Sequence, residues 1–226
     1  MQSSPIFALA ACLLVAADKN EKASDGDKEL ATVLQKAAAV ESYAFKVADK
    51  SGKAVEGSFQ KDQPVFYQAD KILFYKKGDT LVYKQGDDWK RSKTGVESDP
   101  LVILAASAKV RAARLPHEEL ATLAKNLKEA KKEDKKEGAL TVYTADLSED
   151  GAKKLAPTES QGVAKSGQAK IWVDKEGAVV KYTVNIRLQG RQGNAEVNGI
   201  LEKTVTLSDL GKAKIELPAG AKKALE

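Results

Sequence analysis

The stretch "AVVKYTVNIRLQG", residues 178–190, decides the fold. Val180, Tyr182, Val184, Ile186 and Leu188 fall on one face of an extended chain, opposite Lys181, Thr183, Asn185 and Arg187. Side chains alternate across a strand with a period of two, so this is a long strand with one dry and one wet face. A tight turn joins it to "QAKIWVDKEG", residues 168–177, on its N-terminal side. After it comes "NAEVNGILEKTVTLSDLG", residues 194–211, where Ala195, Val197, Leu201, Val205 and Leu207 oppose Glu196, Asn198, Glu202, Thr204 and Thr206. Long strands with one apolar face describe an antiparallel sheet that is solvated on one side. "KAKIELP", residues 212–218, reads as a closing strand, and the last eight residues, "AGAKKALE", as a terminal helical turn.

Upstream of this block, "GALTVYTADL", residues 138–147, alternates as a strand, and "SEDGAKKLA", residues 148–156, reads as a short helix capped by Ser148. Residues 157–168 are rich in Gly, Ser and Gln and read as a loop. Residues 99–136 are helical in pattern. Asp99 is placed to cap, Pro100 suits a first helical position, and Leu101, Leu104, Ala105, Ala108 and Val110 form an apolar stripe. Leu115-Pro116 breaks this helix, and a second continues with Leu120, Leu123 and Leu127 on one face and a tail of mixed lysines and acids. Between residues 43 and 93 the period shortens to two. "YAFKVADK", "AVEGSFQK", "PVFYQAD", "KILFYKKGD", "TLVYKQGDD" and "WKRSK" are short strands of a meander, with hairpin turns at Gly78-Asp79 and Gly86-Asp87. An amphipathic helix precedes them, with Asp27 as its N-cap and Leu30, Val33, Leu34, Ala37 and Val40 on one face.

The N-terminal seventeen residues carry no Asp, Glu, Lys or Arg, and Ile6 to Ala17 is an apolar run of twelve. That is the length of a signal-peptide core and too short to span a bilayer. The expected organisation is therefore a signal peptide at 1–17, a flexible linker at 18–27 and a single domain at 28–226. Leu9-Ala10-Ala11-Cys12 also fits the small-residue pattern of a lipoprotein box, with Cys12 as the acylated residue. Apolar residues run on both sides of Cys12, which favours cleavage after Ala17 and leaves lipidation as the alternative. Either way the sequence predicts export, to the periplasm or beyond, with membrane anchorage through Cys12 as an option. Across 226 residues the apolar share is 42%, the charged share 31% and the net charge +5, a soluble globular composition. Lysines and acids interleave, which argues for a solvated surface mildly attractive to anionic envelopes and against a nucleic-acid stripe.

Four stretches resemble a known family. "ILFYKKGDTLVYKQGDDWKR", residues 72–91, is similar to the tyrosine, glycine and tryptophan hairpins of the lipoprotein-localisation-carrier superfamily, of LolA type with the LppX/LprG-type lipoproteins. "DPLVILAA", residues 99–106, resembles the helix start that follows them there. "WVDKEGAVVKYTV" and "TLSDLGKAKIELP" resemble its closing strands. The resemblance implies an α+β fold, a curved antiparallel β half-barrel covered on its concave side by helices. In that family the concave apolar face holds acyl chains and no chemistry is done.

Thirteen aromatic residues are present, and seven of them lie between Phe59 and Trp89. Neighbours such as Phe74 and Tyr75 must face opposite ways, so they cannot form one wall. The candidate ligand-cavity residues are Val65, Tyr67, Ile72, Phe74, Leu81 and Tyr83 from the meander, Leu101 and Leu104 from the central helices, and Val184 and Ile186 from the long strand. The same residues would also make an ordinary core. His117, the only histidine, is expected as an exposed residue at a helix start. A metal site would need more ligands, and a hydrolase triad would need a nucleophile elbow that the sequence lacks. No cofactor is implied. The expected function is a non-enzymatic envelope protein that binds a lipid or acyl chain, with a membrane surface or an envelope protein as further partner. The alternative is a structural or interaction module whose cavity is filled.

Overall fold

The computed structural model describes residues 24–52, 54–92, 100–133, 139–157, 162–192 and 195–226. The expected leader, with Cys12 and the cleavage point after Ala17, and Asp99 as a helix cap lie outside these. The first element is α1 (Asp25–Ala38), followed by β1 (Ser42–Asp49), β2 (Ala54–Gln60), β3 (Val65–Ala69), β4 (Ile72–Lys77), β5 (Thr80–Gln85) and β6 (Asp88–Ser92). Two helices come next, α2 (Leu101–Ala112) and α3 (Pro116–Asn126), then β7 (Leu127–Lys132), β8 (Thr141–Leu147) and α4 (Glu149–Leu155). The chain closes with β9 (Val163–Val173), β10 (Val179–Gln192), β11 (Ala195–Ser208) and α5 (Ala219–Leu225).

All the strands belong to one sheet in the order β6-β5-β4-β3-β2-β1-β11-β10-β9-β8-β7. Every neighbouring pair is antiparallel. Only β1 against β11 joins strands distant in sequence, so two meanders are stitched into one curved, open half-barrel. The fold is α+β, as expected. The inner face packs against α1 to α4, and Leu30, Leu34, Ile103, Val110, Leu120, Leu123 and Leu155 reach into a single apolar core with the strands. Gly57 belongs to that design. A Cβ there would sit 2.4 Å from the Phe66 carbonyl oxygen and 2.5 Å from the Phe45 ring across the strand pair. Gly57→Ala is expected to cost about 1–3 kcal/mol through overpacking, measured by urea unfolding.

The hairpin turns form where glycine supplies them, with Gly78 at φ 56° and Gly86 at φ 62°. A third tight turn uses Asp70 and Lys71, both at positive φ. Ser148 caps α4 through a 3.0 Å bond from the Gly151 amide, as its sequence indicates.

Several expectations need correction. The N-cap of α1 is Ser24, and Asp27 is instead the third helical residue of a capping box. The Asp27 carboxylate also accepts the Ala130 amide at 2.7 Å, which ties α1 to β7. That bond, more than any other influence, holds Asp27 below the usual carboxylate range. The helix expected to run to residue 136 stops at Asn126, and its charged continuation is the edge strand β7. This segment has no continuous apolar stripe to bury, and lysines suit an exposed sheet edge. The loop expected at 157–168 ends early, because β9 begins at Val163 and pairs with β10 through a bulge near Arg187. In α2 the buried residues are Ile103, Ala106, Ser107 and Val110, while Ala105 and Ala108 are exposed. Pro100 is the residue before this helix and not its first. Finally, residues 212–218 form no strand. They cross the outer face as a strap, where Ile215, Leu217 and α5 cover Phe66, Tyr75, Val82 and Trp89. Tyr75 donates to the Glu216 carbonyl at 2.7 Å, and Arg91 holds the Ala224 carbonyl at 3.0 and 3.2 Å.

Candidate functional site

The inner face of the meander is built from alternate residues in register. Tyr67, Phe74 and Tyr83 lie side by side across β3, β4 and β5 and are essentially inaccessible. Leu81, Val184 and Ile186 are buried in the same cluster, and Val65 and Ile72 pack at its margin. These eight candidates therefore share one apolar interior. The outer-facing aromatics Phe66, Tyr75 and Trp89 form a separate cluster under the strap, as alternation requires. The two α2 candidates stand apart, since Leu104 is half-buried and Leu101 is 85% exposed.

The interior meets solvent at a cleft of about 280 Å³ where α2, α3 and α4 approach β1, β2 and β11. Val47 and Val55, paired across β1 and β2, form one wall. Ala112, Ala113, Leu155 and Pro157 form the other. Beside this apolar lining stands the one buried carboxylate among the described residues, Glu119, which is 2% exposed. It lies in the first turn of α3 and accepts two bonds. Tyr182 of β10 donates its hydroxyl at 2.8 Å, and Lys203 of β11 donates its ammonium. Burial raises the Tyr182 hydroxyl well above its ordinary value, and the Glu119 charge adds to this, so the phenol keeps its proton and serves as donor. The network pins α3 to the inner face of the sheet.

Sequence reasoning missed this pair, although each member leaves a trace. Lys203 occupies an inward position between Leu201 and Val205, and Glu119 lies on the side of α3 that carries Leu123 one turn later. A charge at a core position of one element can be read against an opposite charge at a core position of another.

His117, at the start of α3, is half-buried rather than exposed. Its Nδ1 is 2.7 Å from the Tyr43 hydroxyl, and its ring lies 4.4 Å from that of Phe59. Burial lowers its pKa, only partly offset by Glu118. In the unfolded chain the imidazole takes up its proton near the ordinary value of 6.5, earlier than in the folded state. Stability is therefore full above that pH and falls as the pH drops below it, until the folded-state pKa is passed. NMR titration of the single histidine should give a midpoint below 6.5, with a parallel loss in urea midpoint that His117→Asn abolishes.

A larger groove of about 700 Å³ crosses the outer face of β8 to β11. It is lined by Lys128, Lys165 and Arg187 against Asp146, Glu149 and Glu202, three charges of each sign in an open trough, with Leu147 and Ile200 among them. Among the described residues no three His, Cys, Asp or Glu side chains are grouped to hold a metal, and no helix is long and apolar enough to cross a membrane.

No protein-family model matches the sequence, and no curated protein does. The fold has solved counterparts. The lipoprotein LppX of Mycobacterium tuberculosis superimposes with a TM-score of 0.51 at 14% identity, over 85% of this chain and 99% of that one. LprF of Mycobacterium bovis gives 0.51 at 12% identity, over 87% of this chain and 97% of that one. The chain thus shares its half-barrel architecture with these two lipoproteins, as the sequence resemblance implies.

Proposed function

We propose that the protein is a non-enzymatic carrier or chaperone of the cell envelope that binds an acyl chain at the mouth of its half-barrel. The observation that carries this reading is the apolar cleft between Val47, Val55, Ala112 and Leu155, which opens on the helix-covered face of an LppX-type fold. Burying each methylene contributes about 0.8 kcal/mol, so an alkyl chain gains affinity there without polar recognition. The candidates Tyr67, Phe74, Tyr83, Val184 and Ile186 form the packed floor beyond the cleft, and α2 is the element that moves when a longer chain enters. It is held to the sheet by Ile103 and Val110 in the core and by two polar ties, Lys109 to Asp70 at 2.5 Å and Arg111 to the Ser92 carbonyl at 3.0 Å. An exported location, with residues 1–17 removed or Cys12 acylated, accords with this role.

The second reading, an envelope interaction module with a filled cavity, draws support from the complete burial of Tyr67, Phe74 and Tyr83 by the protein's own helices. Ala113→Trp separates the two. On the carrier reading it fills the cleft and abolishes binding of an uncharged fluorescent probe such as N-phenyl-naphthylamine. On the module reading the unsubstituted protein binds no probe.

A further inference from the structure

We propose that the ligand of this cleft is a single-chain amphiphile with an anionic head, and that Arg114 is the residue that seats it. The proposal rests on the acyl-binding reading and adds a headgroup class. Three cations border the cleft, Lys109, Arg114 and Lys203, with Asp49 and Glu119 the acids. Most of these charges are already engaged. Lys203 and Glu119 pair with each other, and Lys109 pairs with Asp70 just outside the rim. Asp49 is drawn into its own turn, accepting from the Ser51 amide at 2.8 Å and the Ser51 hydroxyl at 2.6 Å.

Arg114 differs from the other two cations. It is exposed, and it spends one guanidinium N–H on the Lys154 carbonyl near the end of α4. No carboxylate among the described residues pairs with it. A guanidinium has five N–H donors in a planar fork, which matches a two-oxygen anion in bidentate fashion. Arg114 follows Ala113 directly and lines the same opening as Leu155 and Pro157, so a cation borders the apolar bed. An alkyl chain lying along Val47, Val55 and Ala112 places its head within reach of that fork. A carboxylate and a phosphate monoester share the chemistry required.

The test is displacement of N-phenyl-naphthylamine from the purified protein by dodecanoate, dodecyl phosphate and methyl dodecanoate, the two anions below their micelle-forming concentrations and the ester below its solubility limit. At least one anion is expected to bind about tenfold more tightly than the ester, a typical gain for a charge-assisted pair. The stronger of the two identifies the head. Arg114→Gln should remove that advantage and leave the ester's affinity unchanged, and Arg114→Lys should restore part of it. Equal binding of anions and ester by the unsubstituted protein overturns the headgroup assignment while leaving acyl binding intact. A uniform loss for all three ligands in Arg114→Gln also overturns it, because that marks Arg114 as a support for α4 only. If neither the probe nor any ligand binds, the acyl-binding reading fails and this proposal with it.

Discussion

Replacing Glu119 by alanine is expected to destabilise the protein by about 3 kcal/mol, the low end for breaking a buried ion pair. The low end applies because the Lys203 side chain keeps 28% exposure and can turn toward water. The Tyr182 hydroxyl cannot. It is fully buried on the inner face of β10 and loses its acceptor when the carboxylate goes. Taking both charges away behaves differently, since an apolar pair of similar volume needs no desolvation. Glu119→Met with Lys203→Met removes the stranded charge but leaves the Tyr182 hydroxyl without its acceptor, so it is expected to recover only part of the loss. Urea midpoints of Glu119→Met, Lys203→Met and the double variant measure the coupling. A loss below about 1 kcal/mol for Glu119→Ala would place the pair among solvent-screened surface bridges.

Phe74→Ala is expected to cost about 3–5 kcal/mol, the range for removing a fully buried aromatic side chain. Phe74 sits at the centre of the row formed with Tyr67 and Tyr83, and both flanking rings are themselves buried. Leu101→Ala, at a position that sequence reasoning placed on the same wall, should change stability by no more than about 0.5 kcal/mol. Denaturant curves for the two variants separate a residue packed in the interior from one exposed on the covering helix.

Much of the architecture was legible because strand alternation is a strong signal where one face is wet. Residues 178–190 and 195–208 show it over many positions, and the meander shows it with glycine turns between strands. The signal weakened where composition offered more than one answer. α2 is apolar or small nearly throughout, so several faces could have been the buried one, and the stripe through Leu101 and Ala105 was out of phase. β7 is an edge strand of charged residues, and charged residues in a row read equally well as a helix end. The segment 212–218 alternates like a strand, yet Ile215 and Leu217 bury themselves against the outer aromatics without joining the ladder. For the site, periodicity found the interior but not its opening. The cleft exists because α2, α3 and α4 converge on β1, β2 and β11, a juxtaposition that no local pattern encodes. The Glu119–Lys203 pair needed two distant charges to be read together.

The half-barrel, its helical cover and the apolar cleft between them support the proposal that this protein carries acyl chains. The most direct test is organic-solvent extraction of the protein purified under native conditions, with mass spectrometry of the extract. A stoichiometric lipid or fatty acid is expected from the unsubstituted protein, and its loss from Ala113→Trp. A protein that yields no lipid, and that also binds no dodecanoate when offered it, would not be an acyl carrier but a half-barrel filled by its own side chains.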